Sequence, residues 1–270
     1  MNVLLYAGPA PRRNAVLKFS TPIIQRATAM LTLVTGGGSG CADLLKDAAQ
    51  RLNIPPYIPV THCALPGNAQ DAILRAVHDQ PYDLVILGRL QQPFGRLIHG
   101  QRSKMIAQKL EPSVLRVDGL VNPIQRILLT SGGDQHTFDN ARIATRLAAP
   151  LKASVTLLHV LSQQSLVFEG FPEQCVPVST FLQGAAPEAL VLREAAGLLQ
   201  RSQVKTQIKG RVGPILDEIL TEVQRGHYDL LVIGAHHVAS ALDRILLEDI
   251  TGDLLDLSPI PVLVAKNGET

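Results

Sequence analysis

The chain of 270 residues has no tryptophan, and only 4% of it is aromatic, so its cores must be built from aliphatic side chains. Cysteine is equally sparse: Cys41, Cys63 and Cys175 are odd in number and far apart, with no paired spacing that would suit a zinc site or a disulfide framework. Reduced, structural thiols are expected. No stretch reaches the roughly 18 uninterrupted apolar residues of a membrane-spanning helix, so no membrane insertion is expected. The opening MNVLLYAGPAPRRN places apolar residues before basic ones, the reverse of a secretory signal, and points to a cytoplasmic location. The formal charge of +2 is spread along the chain, and no Lys/Arg run is interleaved with stacking aromatics. Nucleic acid is therefore not an expected partner.

What the chain does have is length for two units of about 120–150 residues, each able to bury its own core, and an internal repeat. Residues 71–88 (DAILRAVHDQPYDLVILG) lie over 217–234 (DEILTEVQRGHYDLLVIG) at an offset of about 146, and the same offset pairs Gly67 with Gly213. Each copy reads as an amphipathic helix, a polar turn ending in Tyr-Asp, and a continuous apolar run closed by Gly, the pattern of a buried parallel strand. The ends repeat as well: Asn2–Gly8 resembles Arg126–Gly132, and Glu111–Val117 resembles Ser258–Val264.

Between these landmarks the second copy predicts helices around 138–151, 187–202 and 240–257, and strands near 154–160, 205–209 and 260–265. The resulting β-α-β-α-β-α-β-α-β order implies right-handed crossovers and a parallel sheet covered on both faces. Ligands of such sheets bind at the carboxyl ends of the strands. Gly119–Ile124 interrupts regular structure and divides the chain into expected domains 1–122 and 123–270. The first copy is the more worn, with Pro22 inside its first expected helix and Pro55, Pro56 and Pro59 crowding its third strand.

The repeated segments resemble the universal stress protein family in its tandem, two-domain form. The second copy carries most of the likeness, through ILLTSGGD (127–134), APLKASVTLLHV (149–160), YDLLVIG (228–234) and the Pro-x-Pro-Val-Leu-Val ending. The resemblance implies an α/β fold: two tandem five-stranded Rossmann-like domains, flavodoxin-like or adenine nucleotide α-hydrolase-like, pairing through their last strands. It also implies a stress-response or regulatory protein, with ATP binding in some members, so that the cofactor expected of this chain, where it has one, is ATP or AMP with Mg²⁺. The family motif, Gly-x2-Gly-x9-Gly-Ser/Thr after the fourth strand, lets backbone and helix-start amides approach phosphate.

Matched to that motif, the first copy offers Gly88, followed by Arg89-Leu90-Gln91, and then, one residue short of the family spacing, Gly100, Gln101, Arg102 and Ser103, with Arg102 or Arg96 to neutralise phosphate charge. The resemblance also implies a carboxylate at the end of the first strand that helps to hold the adenosine, and Gly8 stands in its place. In the second copy, Gly234 is present, but His237 replaces the second Gly, and Leu247-Glu248 and Asp249 fall where phosphate would close. Gly132 takes the first-strand position there, with Asp134 two residues on. Any nucleotide is thus expected in the first copy.

Other constellations have plainer readings. TGGGSG (35–40) lacks a Walker lysine and reads as a flexible connection. Neighbouring His236 and His237 point apart on extended backbone and do not make a metal pair by default. The acidic helix bearing Asp243, Glu248, Asp249, Asp253 and Asp256 reads as a solvated face, and no catalytic triad can be nominated from spacing. The long connection containing LVFEGFPEQCVP (166–177), with Phe168 and Phe171, is a candidate cover for a cleft or a contact for an unknown protein partner. The leading expectation is a binding protein without turnover, an intramolecular domain pair that could also form a homodimer. A slow nucleotide hydrolase or nucleotidyl transferase, and a non-nucleotide interaction scaffold, are the alternatives.

Overall fold

The structure is a computed structural model and describes residues 1–90, 110–132, 134–161, 184, 186–234 and 250–266, with residues 134–136 described in backbone only. The first half holds β1 (Asn2–Tyr6), α1 (Arg13–Ala27), β2 (Met30–Gly36), α2 (Cys41–Leu52), β3 (Val60–Leu65), α3 (Ala69–Asp79), β4 (Leu84–Gly88) and β5 (Ser113–Val117). The second holds β6 (Arg126–Thr130), α4 (Asp134–Leu151), β7 (Ser154–Leu161), α5 (Pro187–Arg201), β8 (Thr206–Val212), α6 (Ile215–Gly226), β9 (Leu230–Gly234), a helix over 250–257 (α7) and β10 (Val262–Ala265).

All these strands join one ten-stranded sheet in the order β3-β2-β1-β4-β5-β10-β9-β6-β7-β8. Within each half every pairing is parallel, as continuous apolar strands buried on both faces require. The halves meet where β5 and β10 pair antiparallel, with Val114 opposite Val264 and Leu115 opposite Leu263. The strands of the two halves therefore run in opposite directions, and their carboxyl ends open at opposite edges of the sheet. One aliphatic core, from Val3 to Ala265, underlies α1, α2, α4 and α5, and a second lies beneath α3, α6 and α7.

The repeated Tyr-Asp has a clear job in both halves. Tyr82 donates to Thr32 Oγ1 at 3.1 Å, and Tyr228 is hydrogen-bonded to Thr156, so each phenol ties the turn to the second strand of its half. Asp83 Oδ2 accepts from the Asn2 amide at 2.6 Å, and Asp229 Oδ2 from the Gln125 and Arg126 amides at 2.9 Å. Each carboxylate thus caps the start of the first strand of its half.

Pro22 does not end the first helix. The helix runs on to Ala27, and in the turn before the proline Ser20 Oγ and Thr21 Oγ1 donate to the Val16 and Leu17 carbonyls at 2.8 and 2.9 Å. The third strand begins immediately after Pro59, so the prolines crowd its approach and leave its ladder intact.

Candidate functional site

In each half the strand order reverses between the first and fourth strands, which lie side by side, and the carboxyl ends of strands at such a reversal are where sheets of this kind bind ligands. In the first half, Gly8 and Gly88 sit at the ends of β1 and β4. Gly8 is buried beneath two hydroxyls: a Cβ there would lie 2.4 Å from Tyr6 Oη and 2.6 Å from Thr35 Oγ1. Burial pushes the Tyr6 phenol up, against the opposing pull of the Gly36 amide hydrogen bond. A Cβ on Gly88 would meet Val16 Cγ2 at 2.8 Å. Packing against Tyr6, Thr35 and Val16 therefore accounts for both glycines. The positions Gly100, Gln101, Arg102 and Ser103, and Arg96 with them, lie outside the described residues.

Arginines surround this end of the sheet. Arg13 Nε donates to the Ala7 carbonyl at 2.8 Å and its Nη1 pairs with Asp47 at 2.6 Å, which fixes the turn after β1. Arg12 lies 3.6 Å from Asp118, Arg116 bonds the same carboxylate at 2.9 Å, and exposed Arg89 adds its charge. Burial alone would raise the Asp118 carboxyl, but the Arg116 and Gly119 hydrogen bonds and the charges of Arg116 and Arg89 hold it below the usual range. With Asp256 also on Arg116 at 3.1 Å, the cluster sets three guanidinium groups against two carboxylates.

The second half is built differently. Ser131 Oγ lies 2.8 Å from His159 Nδ1, across the ends of β6 and β7. Burial lowers the His159 pKa, against the opposing charge of Glu188, and favours a neutral ring. Asn140, buried on α4, donates to the Thr130 carbonyl at 3.3 Å and packs on Gly234, where a Cβ would lie 2.9 Å from Asn140 Nδ2. The Gly132 amide donates to Thr137 Oγ1 at 3.3 Å, and the Ser131 amide to the Leu158 carbonyl at 2.9 Å. Among the described residues, the Ser131 and Gly132 amides beside this pair are thus both engaged within the protein and are not free to stabilise an oxyanion. Asp134 begins α4, but its side chain lies outside the described residues, as do His236, His237, Glu248, Asp249 and the Phe168/Phe171 connection. Among the described residues, no group of three or more His, Cys, Asp or Glu could hold a metal ion, and no helix is long and apolar enough to cross a membrane.

Tyr6, Thr35, Ser131, Asn140 and His159 are the site residues that spacing does not reveal. Ser131 and His159 are 28 residues apart and meet only because β6 and β7 are neighbours.

A profile of the universal stress protein family matches residues 123–266, more than half of the chain. The chain belongs to the universal stress protein family. Solved universal stress proteins share its architecture over nearly the full length. One from Archaeoglobus fulgidus DSM 4304 is 13% identical with a TM-score of 0.68, covering 98% of both chains. A putative universal stress protein from Pseudomonas aeruginosa UCBPP-PA14 is 17% identical with a TM-score of 0.67, covering 98% of this chain and 92% of that one. The cytoplasmic domain of a prokaryotic cation chloride cotransporter has the same fold at 13% identity and a TM-score of 0.61, covering 100% and 96%. No curated protein shows significant sequence similarity. At these identities the structural likeness speaks for the fold, which is that of mixed α/β universal stress proteins.

Proposed function

We propose that this universal stress protein is a cytoplasmic stress-response regulator that acts by binding rather than by turnover, and that it takes ATP or AMP with Mg²⁺ at the strand ends of its first half. The observation that carries the assignment is the charge balance. Arg12 and Arg89, both exposed, follow β1 and β4 and share between them only Asp118, a carboxylate that the buried Arg116 of β5 already pairs, a surplus suited to phosphate. The described strand ends of the second half offer Ser131, Gly132, Gly234 and a His159 favoured as neutral, with Glu188 nearby, and supply no such surplus. Gly100, Gln101, Arg102 and Ser103 would complete the phosphate contacts. Because Tyr6 covers Gly8, the nucleoside would be held by groups other than a first-strand carboxylate.

Calorimetry of the full chain with ATP or AMP and Mg²⁺ tests this reading. Binding that is lost in Gly100→Asp and weakened about tenfold in Arg89→Glu, with the heat of Gly234→Asp unchanged, is the expected result. The proposal fails if no heat is seen up to about millimolar nucleotide, and an interaction scaffold then becomes the working reading. Release of inorganic phosphate at a rate above the spontaneous background would instead make the protein an enzyme.

A further inference from the structure

The ten-stranded sheet ends in two edges, β3 and β8, that occupy equivalent places in the two halves. An open edge offers main-chain donors and acceptors to any passing strand, and proteins commonly blunt it with charge. The second half does so. Over residues 198–216 it carries Arg201, Lys205, Lys209 and Arg211, with Lys209 and Arg211 tied to Glu222 and Glu218 on α6. At the same offset of about 146, residues 52–70 of the first half contain no Asp, Glu, Lys or Arg at all. Within that uncharged stretch Val60, Thr61, His62 and Ala64 are exposed, and Tyr57 is 73% exposed beside them.

The ladder shows which main-chain groups of β3 face outward. Leu31 pairs with Val60, and its amide donates to the Pro59 carbonyl at 3.0 Å. In a parallel ladder the main-chain groups of alternate residues point to opposite sides. Thr61, Cys63 and Leu65 therefore turn theirs toward β2, and Val60, His62 and Ala64 present theirs at the open edge. Pro59 and Pro66 flank the strand and leave these three positions uninterrupted.

We propose that β3 is a self-association edge, on which a second copy of this chain pairs β3 to β3, antiparallel, about a two-fold axis at His62. In this register His62 faces His62 of the second copy, and Val60 faces its Ala64. Every outward residue then forms a doubly hydrogen-bonded pair. A second copy is the fitting occupant because the strand is self-complementary under this rotation, and residues 52–70 bring no Asp, Glu, Lys or Arg of their own against each other. Two β8 edges would instead crowd Lys205, Lys209 and Arg211 of both copies. Thr61 and Cys63 of opposite copies become a non-hydrogen-bonded pair with Cα atoms about 4.5 Å apart, within disulfide range.

Sedimentation velocity of the full chain from about 1 to 100 µM is the primary test. A reversible dimer is expected, with His62→Pro raising its dissociation constant about tenfold or more, since proline removes an outward N–H and spares the β2 ladder. Val60→Lys should act in the same direction through charge, and Ile208→Pro on β8 should leave the dimer intact. The register predicts that Thr61→Cys yields a reducible covalent dimer that disappears when Cys63→Ser is added. A monomer at every concentration, or a dimer that survives both His62→Pro and Val60→Lys, overturns the proposal. Unchanged circular dichroism and melting in either β3 variant separates loss of pairing from misfolding.

Discussion

Glu222 shows how one position separates two copies of a fold. It is fully buried, accepting from Lys209 Nζ at 2.8 Å and from the Tyr228 hydroxyl at 2.9 Å, with Arg211 Nη1 at 3.3 Å. At the repeat offset its counterpart is Ala76, and Cys63 and Leu65 stand in place of Lys209 and Arg211. Without the charged group the first half retains a cavity of about 90 Å³, lined by Thr32, Cys63, Ala76 and Tyr82 among others. Burial by itself would raise the Glu222 carboxyl, but its hydrogen bonds to Lys209 and Tyr228 and the charges of Lys209 and Arg211 hold it below the ordinary glutamate value of 4.5. A depressed folded-state value stabilises the fold above the unfolded-state value and is lost as pH falls through the folded one. Glu222→Ala is therefore expected to cost about 2–3 kcal/mol at neutral pH, discounted because Lys209 is half-exposed. Urea titrations at pH 7 and about pH 3 should show this difference shrinking in acid.

At the scale of elements, glycines at strand ends decide how closely helices approach. Gly88 and Gly234 are equivalent, and both were legible as strand terminators and phosphate-motif positions, yet their neighbours differ: Val16 of α1 in one half, Asn140 of α4 in the other. Gly88→Ala would drive a methyl into the Val16 side chain at 2.8 Å in a close-packed core. A loss of about 1–3 kcal/mol is expected, seen as a lower urea midpoint with an unchanged slope. The helix through Pro22 carries the complementary lesson. Proline marks a break in isolation, whereas here apolar burial of Val16, Leu17, Phe19, Ile23 and Ile24 holds the helix together across it.

Across the whole molecule, the antiparallel β5–β10 contact makes two parallel sheets into one. Its turn depends on Gly119, which has φ +73° and whose added Cβ would lie 2.2 Å from the Pro259 carbonyl oxygen. The Leu120 amide donates to that same oxygen at 2.7 Å. Arg116, buried beside it, bonds Asp118, Asp256 and the Leu255 carbonyl, and Arg146 of α4 pairs with Asp83 of the other half at 2.8 Å. Gly119→Ala combines a left-handed backbone with a backbone clash and should cost about 2 kcal/mol or more. Calorimetry should record a melting temperature lower by roughly 4–8 °C.

The residues alone carried the class of fold, the repeat and the order of strands and helices, because apolar periodicity and turn chemistry act over a few residues and survive without knowledge of the rest. The Tyr-Asp pair was legible as a repeated landmark; that it ties a turn to the second strand and caps the first became visible only when sequence-distant strands lay side by side. The same holds for Tyr6 over Gly8, for Ser131 against His159, for the arginines gathered at Asp118, and for the contrast between an uncharged β3 edge and a charged β8 edge. Local preference determines which elements form, whereas the environment of each side chain depends on which elements become neighbours, and that is settled by burying two continuous cores together.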